Sequence, residues 1–258
     1  MTAMRIIGTC RLVVRTLLIA VWTLCLLAVR LSSLPLCMLA PWLELHVRRA
    51  LLRLWGHGIR PLIGMRVIVK GTTPTPPFYL VSNHLSHLDA FLYAGILGCA
   101  FIAKSEVAKW PVFGFLAKRV NIVFIDRQKL RDALRVNEWI MNVLNSGDGM
   151  VLFAESTTSS GESIKPFKPA LLEPAAKNEY PVHYATIHYQ APEGAPPASR
   201  WICWWQDEPF MQHVVHLLRM PGFTATVTFG PEPIVASDRK ILAEKLHEAC
   251  LAQFTPVE

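Results

Sequence analysis

Charge is scarce in this sequence. Only 17% of its 258 residues are Asp, Glu, Lys or Arg, where globular chains average nearer a quarter. With 52% hydrophobic residues, that scarcity excludes intrinsic disorder and leans toward a membrane. CxxC pairs are missing. The six cysteines (Cys10, Cys25, Cys37, Cys99, Cys203, Cys250) stand at no metal-like spacing and read as small buried hydrophobes in a reducing compartment. The nineteen Pro and fourteen Gly show no G-X-Y period, which excludes a collagen-like chain. There is no repeat at solenoid spacing and no low-complexity block. Nucleotide loops, flavin fingerprints and metal signatures are also absent, so neither a cofactor nor a metal is expected.

Acid is almost missing from one end. Residues 1–70 hold ten Lys/Arg against one acid, Glu44, a net +9; residues 71–258 hold sixteen against eighteen, a net −2. A nucleic-acid binder would spread basic residues over a folded surface with interleaved aromatics. A basic, apolar N-terminus instead fits anionic lipid.

From Thr16 to Leu45 the only charges are Arg30 and Glu44. The run TLLIAVWTLCLLAV is short of the roughly 20 apolar residues of a full span. It reaches that length from Ile6 if Arg11 and Arg15 snorkel. The run LSSLPLCMLAPWLEL carries Pro35 and Pro41. Two arrangements fit: a spanning helix plus a partial one, or a hairpin entering a single leaflet. A cleaved signal peptide fits poorly, because an Arg-rich helical stretch, Val47–Arg60, follows and no A-x-A site precedes a polar start. Residues 1–60 therefore read as a membrane anchor. Basic residues on both sides place the body, 61–258, on the cytoplasmic side of an inner membrane.

Beyond residue 64, β-rich runs alternate with helical patterns. The runs are MRVIVKG (65–71), FYLVSN (78–83), AFIAK (100–104), NIVFID (121–126), MVLFAE (150–155), VHYATIHY (182–189), WICWW (201–205) and TATVTFG (224–230). Helices are expected over Leu88–Leu97, Lys129–Asn145, Pro169–Lys177 and Ser237–Phe254. The alternation predicts an α/β domain, a central sheet flanked by helices, with its chemistry just beyond strand ends.

Three of those ends carry candidates. In Ser82-Asn83-His84-Leu85-Ser86-His87-Leu88-Asp89, a carboxylate can hold one imidazole nitrogen of His84 so that the other accepts a proton. Ser86-x-x-Asp89 equally fits a capping box, which would leave Asp89 a structural cap. A metal site from His84, His87 and Asp89 has no strong spacing signature. Arg127, ending FIDR, and Lys104, ending AFIAK, can each fork onto phosphate or carboxylate or stand as solvated charges. After Glu155, the turn Ser156-Thr157-Thr158-Ser159-Ser160-Gly161 can present backbone N–H groups to an oxyanion or phosphate, or be an ordinary polar loop. Ser156 lacks a G-x-S-x-G elbow and is not read as a nucleophile. Trp201, Trp204 and Trp205, then Asp207, Phe210 and His213, read as core and interface packing.

In order, His84-x4-Asp89, Phe124-Ile125-Asp126-Arg127, Phe153-Ala154-Glu155-Ser156-Thr157 and Tyr180-Pro181-Val182 resemble the motif blocks of the glycerolipid acyltransferase superfamily, over about residues 65–235. The resemblance implies a mixed central sheet with N-terminal membrane-inserted helices. It implies transfer of an acyl group from acyl-CoA or acyl-carrier protein to a lysolipid hydroxyl, within membrane lipid biosynthesis. His84 would be the general base, Asp89 its orienting acid, and Lys104, Arg127, Glu155, Ser156 and Thr157 would bind substrate. The third block departs from the family's Phe-Pro-Glu-Gly-Thr-Arg: Ala154, Ser156 and Thr158 replace its proline, glycine and arginine. That puts phosphate recognition in doubt. The Thr157-Thr158 pair and the later Trp-x-Asp…Phe-x-x-His run resemble the lyso-ornithine lipid branch. The competing readings are a lipid hydrolase or thioesterase with the same pair, and a catalytically degenerate lipid-binding paralogue.

Overall fold

The apolar runs YLVS and MVLF show no period-two alternation, and such runs suit strands covered on both faces. In the computed structural model, which describes residues 2–109, 122–126 and 129–258, both are fully buried neighbours in one sheet. The seven described strands are β1 (Met65–Lys70), β2 (Tyr79–Ser82), β3 (Ala100–Lys104), β4 (Ile122–Ile125), β5 (Met150–Phe153), β6 (Val182–Gln190) and β7 (Phe223–Phe229). They lie in the order β1-β7-β6-β2-β5-β3-β4. All pairings are parallel except β6 with β7. The expected mixed α/β sheet is thus observed.

Alternate residues along each strand feed opposite layers. Leu80, Val151 and Ile187 join one apolar cluster; Tyr79, Val81, Met150 and Leu152 join the other. The first layer is covered by α2 (Trp42–Leu62), α3 (Leu88–Leu97) and α7 (Phe210–Arg219), the second by α4 (Leu130–Asn145) and α8 (Arg239–Gln253). Short helices α5 (Glu173–Lys177) and α6 (Ala198–Trp201) complete the described set. Asp238 caps α8, accepting from the amides of Lys240 and Ile241.

One expectation is corrected. WICWW is not a strand: Trp201 ends α6, and residues 202–205 form a turn that leads to α7. Its aromatic content mimicked β-propensity, but its donors go elsewhere: the amides of Trp201, Ile202 and Cys203 bond the carbonyls of Pro197 and Ala198, and that of Trp204 bonds the Leu85 carbonyl. The N-terminal segment is one 38-residue helix, α1 (Thr2–Leu39), which runs through Pro35 and breaks before Pro41.

Helix α1 does not send Arg15 toward lipid. Its guanidinium donates to the carbonyls of Leu218, Met220 and Pro221, capping the C-terminus of α7 at 3.1, 2.6 and 3.0 Å. Trp22 donates to the Trp55 carbonyl, and Arg30 forks onto Glu44. Arg48 and Arg49 reach buried Asp148, and Arg60 donates to the Leu92 carbonyl. Five of the ten basic residues in 1–70 therefore fix α1 and α2 to each other and to the body.

Helices α2 and α3 touch backbone to backbone. A Cβ on Gly56 would lie 2.4 Å from the Gly95 nitrogen and 2.9 Å from the Phe91 carbonyl oxygen. We expect Gly56→Ala to destabilise the protein by on the order of 1–3 kcal/mol, despite alanine's better helix propensity. A lower unfolding temperature in detergent checks this; an unchanged one would mean the helices can part freely.

Candidate active site

Register decides what meets at the sheet's carboxyl edge. Ser82 of β2 lies opposite Phe153 of β5 and Ala185 of β6. β2 and β5 therefore end side by side against β6, which runs on to Gln190, at the place where open α/β sheets gather their chemistry. Asn83 leaves β2 but keeps the ladder going with its side chain. Its amide donates to the Ile187 carbonyl at 3.0 Å and accepts the Ile187 N–H at 2.7 Å. That bidentate link fixes where the following histidine begins.

His84 then turns back onto α3. Its Nδ1 lies 2.8 Å from Asp89 Oδ2. The same oxygen accepts the N–H groups of Leu85 (2.7 Å) and Ser86 (3.0 Å), and Oδ1 accepts the Tyr189 hydroxyl at 2.7 Å. Asp89 is wholly buried, whereas the His84 side chain keeps 19% of its surface. A carboxylate already receiving two amides accepts, so Nδ1 carries the proton and Nε2 holds the free lone pair. The ring stacks on Phe153 at 4.2 Å and 12°. Capping and orienting are thus one arrangement: Asp89 closes the amides ahead of α3 and holds the imidazole with the same oxygen. The Ser86 hydroxyl, the other half of a capping box, has no hydrogen-bond partner among the described residues.

Glu155 braces the loop from the third block. Its Oε1 accepts the His84 N–H at 2.7 Å and its Oε2 the Lys165 N–H at 2.9 Å. Burial pushes its carboxyl above the usual range, against the pull of those two amides. Ser156 sits in the left-handed region at φ 64°, so the backbone keeps a shape natural to glycine with a serine in place. Of the amides expected to meet an oxyanion, that of Ser156 bonds the Phe153 carbonyl and that of Ser159 the His84 carbonyl. Thr157 is exposed.

The remaining expected residues stand apart. Lys104 ends β3 on the surface and pairs with Glu106 at 2.8 Å. Arg127 lies outside the described residues. His84, His87 and Asp89 do not converge on a common point. The His87 ring packs among Phe91, Trp204, Phe210 and His213, and its Nδ1 has no hydrogen-bond partner among the described residues. Sequence reading missed Tyr189, which is visible only once β6 is registered against β2. It also missed Lys165, whose Nζ reaches the Thr158 carbonyl at 3.2 Å and brings a cation beside the turn that lacks the family's arginine.

Burial holds both His87 and His213 below their usual pKa, His213 at about 4, with His213 adding to the effect at His87 and His216 to that at His213; the Cys203 backbone opposes it at His213. Unfolding would release them to titrate near 6.5. Below that pH the unfolded chain binds protons that the folded one refuses, so stability falls as pH drops from about 6.5 toward 4. We expect His213→Gln to flatten that slope in unfolding temperatures measured across the window; an unaltered slope would place the titration elsewhere.

Comparison with known proteins follows the same lines. The profile of the Acyltransferase family matches residues 66–188. A lyso-ornithine lipid O-acyltransferase of Brucella abortus is 33% identical over 86% of this chain and 88% of its own. A 1-acyl-sn-glycerol-3-phosphate acyltransferase of Neisseria meningitidis is 34% identical over 49% of this chain and 50% of its own. The crystal structure of the 1-acyl-sn-glycerophosphate acyltransferase of Thermotoga maritima superposes with a TM-score of 0.58 at 21% identity, covering 92% of this chain and 95% of that one.

Proposed function

The chain belongs to the Acyltransferase family and is a lysolipid O-acyltransferase of lipid biosynthesis, and within that activity we propose that His84 is the general base and Asp89 the acid that orients it. The hydrogen bond from His84 Nδ1 to buried Asp89 carries this reading, because it leaves Nε2 as the only basic atom of the ring. The acceptor O–H would give its proton to Nε2 while its oxygen attacks the thioester carbonyl of acyl-CoA or acyl-carrier protein. Collapse of the tetrahedral intermediate breaks the C–S bond, and the departing thiolate recovers the proton from the imidazolium. The products are an ester and a thiol. The Asp89 charge stabilises the transient imidazolium, and the Tyr189 hydroxyl and two amides keep that charge in place. Glu155 holds the histidine loop, while Ser156, Thr157, Lys165, Lys104 and Arg127 are the candidates for contact with donor or acceptor.

The acceptors we propose are lysolipids of the lyso-ornithine or 1-acylglycerol-3-phosphate type, on which the relatives act by name. Turnover by His84→Ala should fall by about 10²- to 10⁴-fold with folding intact. Asp89→Asn should lose less, since an amide still caps but carries no charge. Mass measurement of the acylated product in purified protein checks both. Near wild-type transfer by His84→Ala would remove the assignment. Acyl release without any lysolipid would favour a hydrolase.

Attachment we read as one-sided. Among the described helices, Arg5–Leu39 is long and apolar enough to cross a bilayer. Its uncharged centre, 16–29, is only about 21 Å at 1.5 Å per residue, against a core of about 30 Å. Leu12, Ile19 and Trp22 pack against the protein core, while Leu17, Val21 and Leu24 are exposed on α1. A helix glued along the body by one face is placed to dip its other face into the cytoplasmic leaflet of the inner membrane. Tags at the N-terminus and after Glu258 should then be digested only from the cytoplasmic side. An N-terminal tag digested from outside would mean that α1 spans.

A further inference from the structure

Helix α2 has a third side. Leu52, Gly56 and Ile59 are buried against the body, and Trp55 and Gly58 meet Trp22 of α1. Arg53, His57 and Arg60, at helical spacing, share the remaining flank. They line an open cleft of about 670 Å³, whose far wall is Val69 of β1 with Gly95 and Ile96 of α3. No Asp or Glu among the described residues lines it.

Arg60 is buried there without a counter-charge. It is 9% exposed, and a guanidinium keeps its proton when buried. Gly95 makes room for it: a Cβ at that position would lie 2.5 Å from Nη2 and 2.7 Å from Nε. Nη2 donates to the Leu92 carbonyl, Nε is buried with no acceptor, and Nη1 has no hydrogen-bond partner among the described residues. Burial, and after it the charge on Arg53, pulls the Arg60 pKa below its ordinary value. The partial charge at the C-terminus of α2 offsets only about half of one cation, against two guanidiniums. A buried cation in this state is costly until an anion arrives.

We propose that this cleft binds the phosphate of an anionic phospholipid, at a site separate from the reaction centre. Phosphate oxygens match the N–H groups of Arg53 and Arg60, and the His57 ring adds a further donor. Leu54 and Val69, 47% and 43% exposed beside those donors, suit the apolar part of the same molecule. The lipid is at hand, because α1, the helix read as dipping into the leaflet, packs on the neighbouring flank of α2. Gly95 and Ile96 lie six and seven residues along α3 from Asp89, roughly 9–10 Å at 1.5 Å per residue, so the bound phosphate stands away from His84. Its effect is on the fold: it neutralises the charge that α2 presses against α3 and so fastens the anchor to the helix that carries Asp89.

The test titrates the full chain in dodecyl maltoside micelles with phosphatidylglycerol, phosphatidylcholine or inorganic phosphate and reads the unfolding temperature. Phosphatidylglycerol should raise it, at concentrations where the other two do not. Arg53→Gln/His57→Gln alters two exposed side chains and should raise the half-saturating lipid concentration roughly tenfold, the scale of one charge-assisted hydrogen bond. Arg66→Gln/Lys70→Gln removes two charges from the opposite face of β1 and should leave the titration unchanged. Equal weakening in both variants would mean diffuse attraction to a charged micelle and would overturn the site. An unchanged titration in Arg53→Gln/His57→Gln, or no shift with phosphatidylglycerol, would overturn it as well. An equal shift from inorganic phosphate would overturn the lipid as source, and one from phosphatidylcholine the preference for an anion.

Discussion

A single buried carboxylate organises this molecule. Asp89 is removed from water with its charge, which is unfavourable unless every lone pair finds a donor. It receives the His84 imidazole, two amides and the Tyr189 hydroxyl. Those donors come from the β2–α3 loop and from β6, so satisfying Asp89 requires that both already be in place. Asn83, bridging β2 to β6, and Glu155, bridging β5 to the His84 amide, enforce the same condition from either side. A loop held by this many polar bonds cannot slip by a residue without stranding a charge.

The consequence reaches the N-terminal helices. Helix α3 carries Asp89 and lies against α2 with Gly56 and Gly95 in backbone contact. Helix α2 in turn is fastened to α1 through Trp22, Trp55, Arg30 and Glu44. Any element that seats α1 in lipid therefore also positions the histidine loop relative to the bilayer. In that arrangement a lipid acceptor can meet the base without leaving the membrane surface.

Much of the fold was legible because its signals are local. YLVS, MVLF and the three-to-four spacing of Leu130–Asn145 each state their own structure. The His84–Asp89 pair was legible too, since five residues entering a helix can bring two side chains together. Tyr189 was not, because nothing in its own surroundings marks it; it reaches Asp89 only through the register of β6 on β2. WICWW misled for the opposite reason: aromatic content suggested a strand where the backbone amides close a helical turn and reach the Leu85 carbonyl. Arg15 misled because a basic residue beside an apolar run has two ways to be solvated, and the C-terminal carbonyls of α7 outcompete lipid head groups.

The third-block turn shows how a site can keep its shape while its chemistry changes. Ser156 adopts a left-handed backbone that is costly for a side chain, by about 1–2 kcal/mol, and the two amides on Glu155 together with the Ser159–His84 bond hold it there. The backbone role of the family's glycine is therefore retained. The arginine's role is not, because Lys165 reaches the Thr158 carbonyl as a single point charge without a planar fork. A phosphate monoester loses bidentate recognition by that exchange, whereas a carboxylate–ammonium head group needs only one donor and one acceptor.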